Sequence, residues 1–253
     1  MKTLRFIALF LMFIGCAQLV SAQNSLETEK IDDSWKFTVT PYAWMTGING
    51  RLTVQGQQSP VDLNFANDLL KRLKMAAMLH AEAKKNRLVF MVDVFYAKLG
   101  EDANVTGDMN NSVDLRVRLK ETVIEGGLGY MFARSGRFSM DALLGARFFN
   151  TTVNVDADNT EIANEKFNFL DPYVGVRFLT DWEKWALRGR ADVGGFGLGS
   201  EYSYKLNGFV SYKFKETLVL SLGYQIYQPF YKEDLFEYKL ANEGFLLGFT
   251  IGF

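Results

Sequence analysis

Phe138-Ser139-Met140-Asp141-Ala142-Leu143-Leu144-Gly145-Ala146-Arg147-Phe148-Phe149 decides the fold. Phe138, Met140, Ala142, Leu144, Ala146 and Phe148 recur at a period of two and share one face. Asp141 and Arg147 fall on the other. A period of two is the signature of a strand, whose successive side chains point to opposite faces. Strands of globular proteins average about 5–6 residues. This segment is about twice that length and meets the roughly 9–11 residues of a transmembrane strand.

The same pattern recurs along the chain. Trp35 to Met45 alternates. Leu73 to Lys84 sets leucine, methionine and alanine against Lys74, His80 and Glu82. Leu88 to Leu99 carries Asp93 on its polar face, and Thr122 to Phe132 carries Glu125. Asn168 to Phe178 sets Asp171 and Arg177 against Leu170, Val174 and Val176. Trp185 to Val193 carries Arg188, Arg190 and Asp192. Tyr202 to Phe214, Leu218 to Tyr227 and Phe245 to Phe253 complete the series. Long strands with one apolar face suit lipid, where every backbone polar group needs a partner and the sheet must close without an edge. The expected fold is all-β: a transmembrane antiparallel up-and-down β-barrel of 10 strands over residues 34–253.

Residues 46–72 interrupt the meander. Met45 to Gly50 reads as a Gly/Asn turn, Arg51–Gln55 and Val61–Phe65 as short strands, and Ala66 to Lys74 as a helical turn capped by Asn67 or Asp68. This element is expected above the barrel or in its mouth. If both short strands are staves, the count becomes 12.

The connections alternate in length. Short polar turns lie at 84–87, 133–137, 180–184 and 215–216, and longer polar loops at 100–111, 150–166 and 228–242. Short turns face the periplasm in outer-membrane barrels, so both ends of the barrel chain are expected there, and the strand count must be even. Trp35, Tyr42, Trp44, Tyr130, Phe132, Trp182, Trp185, Tyr202, Tyr204, Tyr212 and Phe214 lie near segment ends, where interfacial girdles form. Arg116, Arg118 and Lys120 share a face, and the apolar phase slips between Leu119 and Thr122. That slip reads as a bulge or as a strand leaving the membrane. The basic ridge could meet anionic lipopolysaccharide, or be balanced by Asp156, Asp158 and Glu161.

The N-terminus is an address. Lys2 and Arg5 precede an apolar run from Phe6 to Ile14, and Val20-Ser21-Ala22 offers a small-x-small cleavage site. Residues 1–22 are read as a signal peptide and 23–33 as a polar lead. The rival is lipoprotein processing at Cys16, in Phe13-Ile14-Gly15-Cys16.

The C-terminal segment Gly244-Phe245-Leu246-Leu247-Gly248-Phe249-Thr250-Ile251-Gly252-Phe253 resembles the signature of bacterial outer-membrane proteins. The chain also resembles a family of uncharacterised outer-membrane barrels through Thr40-Pro41-Tyr42-Ala43-Trp44, Val61-Asp62-Leu63-Asn64-Phe65, Arg188 to Gly197 and Gly223-Tyr224. The resemblance implies fold, an outer-membrane location and recognition by the barrel-assembly machinery. It implies no catalytic residue.

Function is less legible. Lys+Arg is 28 and Asp+Glu 29, giving a net charge of -1, without the basic excess of a nucleic-acid binder. One His and one Cys leave no ligand set for a structural metal, and no cofactor is expected. Partners are membrane lipids, and a monomer is expected. His80, Glu82, Asp93, Glu125, Asp141, Arg147, Asp171, Arg177, Arg188, Arg190 and Asp192 point to the lumen by phase. Mixed charges there suit a narrow solute path or a salt-bridged plug. The first expectation is a small pore or transport barrel. The alternative is a closed structural or surface-interaction barrel. A lipid-acting hydrolase built on His80 and Glu82 comes third, because no Ser nucleophile is marked out. Gly194, Gly195, Gly197 and Gly199 read as a sharp bend at the rim.

Overall fold

The computed structural model describes residues 33–253, except 55, 107–111, 159 and 235. The expected signal segment with Cys16, and residues 23–32 of the lead, lie outside the described residues.

The strands are β1 Lys36–Val54, β2 Gln57–Leu63, β3 Leu73–Lys85, β4 Leu88–Thr106, β5 Ser112–Ser135, β6 Phe138–Ala157, β7 Thr160–Trp182, β8 Trp185–Gly194, β9 Tyr202–Lys215, β10 Leu218–Glu233 and β11 Phe236–Gly252. Each pairs antiparallel with its neighbours, and β1 pairs with both β3 and β11. The wall is therefore a closed barrel of ten strands. β2 pairs with β1 alone and stands outside the ring. Reciprocal backbone bonds between Phe37 and Phe253 (2.9 and 3.3 Å) lock the last residue to the first strand.

At one end the hairpins turn tightly, with Asn86, Gly136 and Glu183 at φ of 55°, 53° and 39°. Only glycine and, less readily, asparagine adopt that backbone at little cost. The other end is uneven. β8 has ten residues, whereas β5 has 24 and β7 has 23. At about 3.3 Å per residue and a tilt of about 40°, β8 just crosses a lipid core about 25 Å tall. The longer strands stand well clear of it.

The three expected long loops are therefore mostly strand. β4 and β5 stay paired out to Thr106 and Ser112, β6 and β7 to Ala157 and Thr160, and β10 and β11 to Glu233 and Phe236. Their sequence reads as loop because the apolar outer face stops where lipid stops. On β5 the outward positions Phe132, Tyr130, Leu128 and Ile124 are exposed apolar residues, followed by Thr122 and Lys120. Pairing runs unbroken through Leu119 to Thr122 on both sides, so the slip marks a strand leaving the membrane and not a bulge. Outside, Arg118 pairs with Asp156, and the Lys120 ammonium lies 5.7 Å from the Tyr96 ring.

The 46–72 segment also differs from expectation. Met45 to Gly50 is not a turn but the middle of β1, paired to β11 throughout. The outward residues Ala43, Met45 and Gly47 are small or apolar, so one strand can pass from lipid to the rim without a break. The hairpin starts only after Val54. A π-helical turn, Phe65–Leu69, then runs into one α-turn, Leu70–Arg72. Its cap is Asn64, not Asn67 or Asp68. Asn64 Oδ1 accepts from Ala66 N (3.0 Å) and Asn67 N, while Asp68 Oδ2 accepts from Asn64 N (2.8 Å). This reciprocal pairing works as a capping box does.

Candidate functional site

Inside the barrel, strand alternation brings the predicted charges together. Glu125 on β5 is a hub. Arg147 Nε donates to it at 2.8 Å, and Arg190 Nη1 and Lys205 Nζ lie 2.6 and 3.2 Å away. Arg147 Nη2 and Arg190 Nε also donate to Asp192, at 3.0 and 2.7 Å. The Tyr173 ring lies 5.1 Å from the Arg147 guanidinium and 5.0 Å from that of Arg190. Arg147 also lies 4.7 Å from the Tyr227 ring. Such cation–π contacts gain strength when desolvated, and Arg147 is 1% exposed.

A second group lies beside the first. Arg177 donates twice to Asp141, at 2.7 and 3.0 Å, and once to Glu82, at 2.5 Å. His80 bonds Asp93 through Nδ1 and Glu82 through Nε2, both at 3.1 Å. Tyr42 donates to the other Asp93 oxygen at 2.9 Å. Both imidazole nitrogens thus face carboxylates, and neither is bonded to a hydroxyl that it could activate. Arg188 makes no ion pair among the described residues. It borders a polar cavity of about 130 Å³ together with His80, Glu82, Asp93, Arg177, Arg190 and Lys205. Asp171 stands apart. It accepts from Ser200 N and Oγ, at 2.7 and 2.6 Å, and pins the glycine-rich bend at the end of β8. Gly195 and Gly197 make that bend at φ of 86° and 73°.

Phase alone would have added Lys205, which alternates inward between Tyr204 and Leu206. Tyr42 and Trp44 were assigned to a girdle, but both point into the barrel: Tyr42 bonds Asp93, and Trp44 is buried. Aromatic identity near a segment end did not distinguish lumen from interface, whereas their even numbers on β1 did.

Above these charges the interior turns apolar. Phe149 is fully buried, with ring centroids of Phe169 at 4.9 Å, Tyr238 at 5.8 Å and Tyr227 at 6.5 Å. Trp44 and Phe95 meet edge-on at 5.6 Å beside them. Ile48, Leu69, Leu240 and Leu246 fill the rest. The membrane-level pattern is inverted here: polar residues face outward into water and apolar residues face the axis.

Glycines shape this interior at two points. A Cβ on Gly127 or Gly145 would lie 2.2 or 2.4 Å from the Tyr173 hydroxyl, and one on Gly145 would also meet Gly126 O at 2.3 Å. Gly145→Ala is expected to destabilise the barrel by about 1–3 kcal/mol through overpacking, measured by urea unfolding of refolded protein. Unchanged stability would mean that the Tyr173 ring is not held against that wall.

No family model and no curated protein sequence matches the chain. Solved structures do. The outer membrane protease OmpT of Escherichia coli is 9% identical over 90% of this chain and 100% of its own, with a TM-score of 0.53. The translocator domain of the autotransporter NalP from Neisseria meningitidis is 9% identical over 95% of both chains, with a TM-score of 0.45. At such identities the likeness is one of fold. The chain has the closed antiparallel fold of outer-membrane β-barrels.

Proposed function

We propose that this protein is a closed barrel that presents its extended hairpins at the cell surface and conducts no solute. The observation that carries this reading is the buried aromatic layer around Phe149, whose Tyr227 ring lies 4.7 Å from the buried Arg147 guanidinium. A pore needs a continuous wet path lined by groups that bind weakly. Here the charges other than Arg188 are largely spent on each other, and the layer above them is mainly apolar, broken by Glu121 and Asn242. The polar cavity beside His80 holds space for a few waters at most, given about 30 Å³ for each.

The test is ion conductance of refolded protein in a planar bilayer, with folding verified by heat-modifiable gel migration. The expected result is no discrete steps. Reproducible steps that change ion selectivity in Arg188→Ala would sink the closed reading and restore a charge-lined channel.

A further inference from the structure

Among the described residues, the seam between β1 and β3 is interrupted over much of its length. β1 pairs with β3 only from Lys36↔Lys84 to Pro41↔Leu79. Above that point Tyr42–Gly47 and Leu73–Met78 form no ladder with each other, and β1 takes a new partner on this side only at Ile48, in β2. Trp44 N donates instead to the Met78 sulfur, at 3.1 Å. Pro41, which has no N–H to give, stands where the strands part. The outward residues on both edges are apolar: Ala43 and Met45 on β1, Met75 and Ala77 on β3, with Met75 57% exposed. The seam therefore opens at lipid height. An open edge in lipid is costly, and here the helical turn at 65–72 lies behind it.

A cavity of about 50 Å³ sits inside this seam. Its walls are mainly apolar, with Trp44, Phe65, Leu69, Met78 and Phe95 among them. Two of its lining residues, Glu121 and Trp44, carry buried polar groups. Glu121 is 7% exposed and, among the described residues, has no ion-pair partner and receives one long bond, 3.5 Å from Asn242 Nδ2. Trp44 Nε1 is buried with no partner among the described residues. A buried carboxylate and a buried N–H left this way each carry an unreturned desolvation cost. Elsewhere in this interior the carboxylates are saturated with partners, as Glu125 is.

We propose that the cavity is a lateral binding site for the hydroxyl end of an unbranched alkyl chain, entering from the outer-leaflet lipid phase between β1 and β3. A hydroxyl has the chemistry for either group, since it can donate to Glu121 and accept from Trp44 Nε1. An ammonium group could not accept from the indole, and a carboxylate would face Glu121 with like charge. Size selects further. An apolar cavity that takes benzene measures about 150 Å³, so an aromatic ring does not fit here, whereas a hydroxyl with its first methylenes does. The remaining chain would lie through the seam along Met75 and Ala77. The site goes beyond the closed-barrel reading and holds whether or not the lumen conducts.

The test is titration of the refolded protein in micelles with 1-decanol, followed by NMR. The signals are the Trp44 indole N–H, assigned by its loss in Trp44→Phe, and the Ala76 methyl group on the cavity wall. Saturable shifts of both are expected with 1-decanol and not with decane. Glu121→Leu should weaken binding at least about tenfold, as loss of a bond to a charged partner does. Glu121→Gln, which still accepts, should stay within a few-fold. Gel migration shows whether each variant has folded, and Trp44→Phe, read on Ala76, should weaken binding independently of any Glu121 variant. The proposal fails if 1-decanol gives no saturable shift and water alone fills the cavity. It also fails if decane shifts the same signals equally, or if decylamine binds more tightly than 1-decanol.

Discussion

Glu125→Gln is expected to lower folding stability by about 3–5 kcal/mol, the usual cost of leaving buried ionic partners uncompensated. The carboxylate is 3% exposed and holds three cations: Arg147, Arg190 and Lys205. Glutamine keeps its shape and loses only the charge. Asp192 would then be left to balance Arg147 and Arg190, with Lys205 unpaired. The cost falls chiefly on Arg147, which is 1% exposed beneath the aromatic layer, whereas Arg190 and Lys205 border the cavity beside His80. Urea unfolding of the refolded protein in vesicles, followed by tryptophan fluorescence, measures it. Glu216→Gln, in an exposed turn, should move the midpoint hardly at all. If Glu125→Gln behaved like Glu216→Gln, the lattice would be a hydrated one and its role in closing the barrel would fall.

Phe149→Ala should cost a similar amount, about 3–5 kcal/mol, from lost burial plus the hole left behind. Its ring is fully buried against residues from β7, β10 and β11. Neighbours anchored in paired strands can relax only a little into that space. The variant should still be silent in a planar bilayer, because Arg147 and its two tyrosines lie directly beneath. Phe149→Ala combined with Arg147→Ala removes both layers and should conduct. A loss below about 1 kcal/mol in the single variant would mean that the mouth is loosely packed. Conduction by the single variant would put the whole barrier in the aromatic layer.

Much of this architecture is legible in sequence, because lipid forces one property onto every outward side chain. His80, Glu82, Asp93, Glu125, Asp141, Arg147, Asp171, Arg177, Arg188, Arg190 and Asp192 all alternate away from that apolar face. What phase does not tell is which partner each one finds. Asp171 shares Arg147's face yet serves Ser200, and that pairing depends on a bend whose path no periodicity records. Above the membrane the rule reverses, and residues 100–111 and 150–166 then read as loops although most are strand. The reversal also hides Glu121. It lies beyond Ile124, the last exposed apolar position of the outer face, so it looks like the polar edge of a loop. Met45 to Gly50 misleads for a different reason. Glycine and asparagine signal a turn only when no neighbouring strand supplies partners, and β11 supplies them along the whole stretch.

The interrupted seam has a mechanical consequence. In a barrel closed by its first and last strands, that join is the natural place to look for weakness. Here fourteen register pairs sew β1 to β11, and only six hold it to β3. Local opening follows the boundary with fewest bonds. Fraying should therefore begin on the β3 side of β1 and leave the terminal closure intact. Backbone amides of Leu73 to Met78 should exchange with solvent deuterium well before those of Leu240 to Gly252. A barrel of this kind yields first at an interior hem, with both ends of its ribbon still fastened.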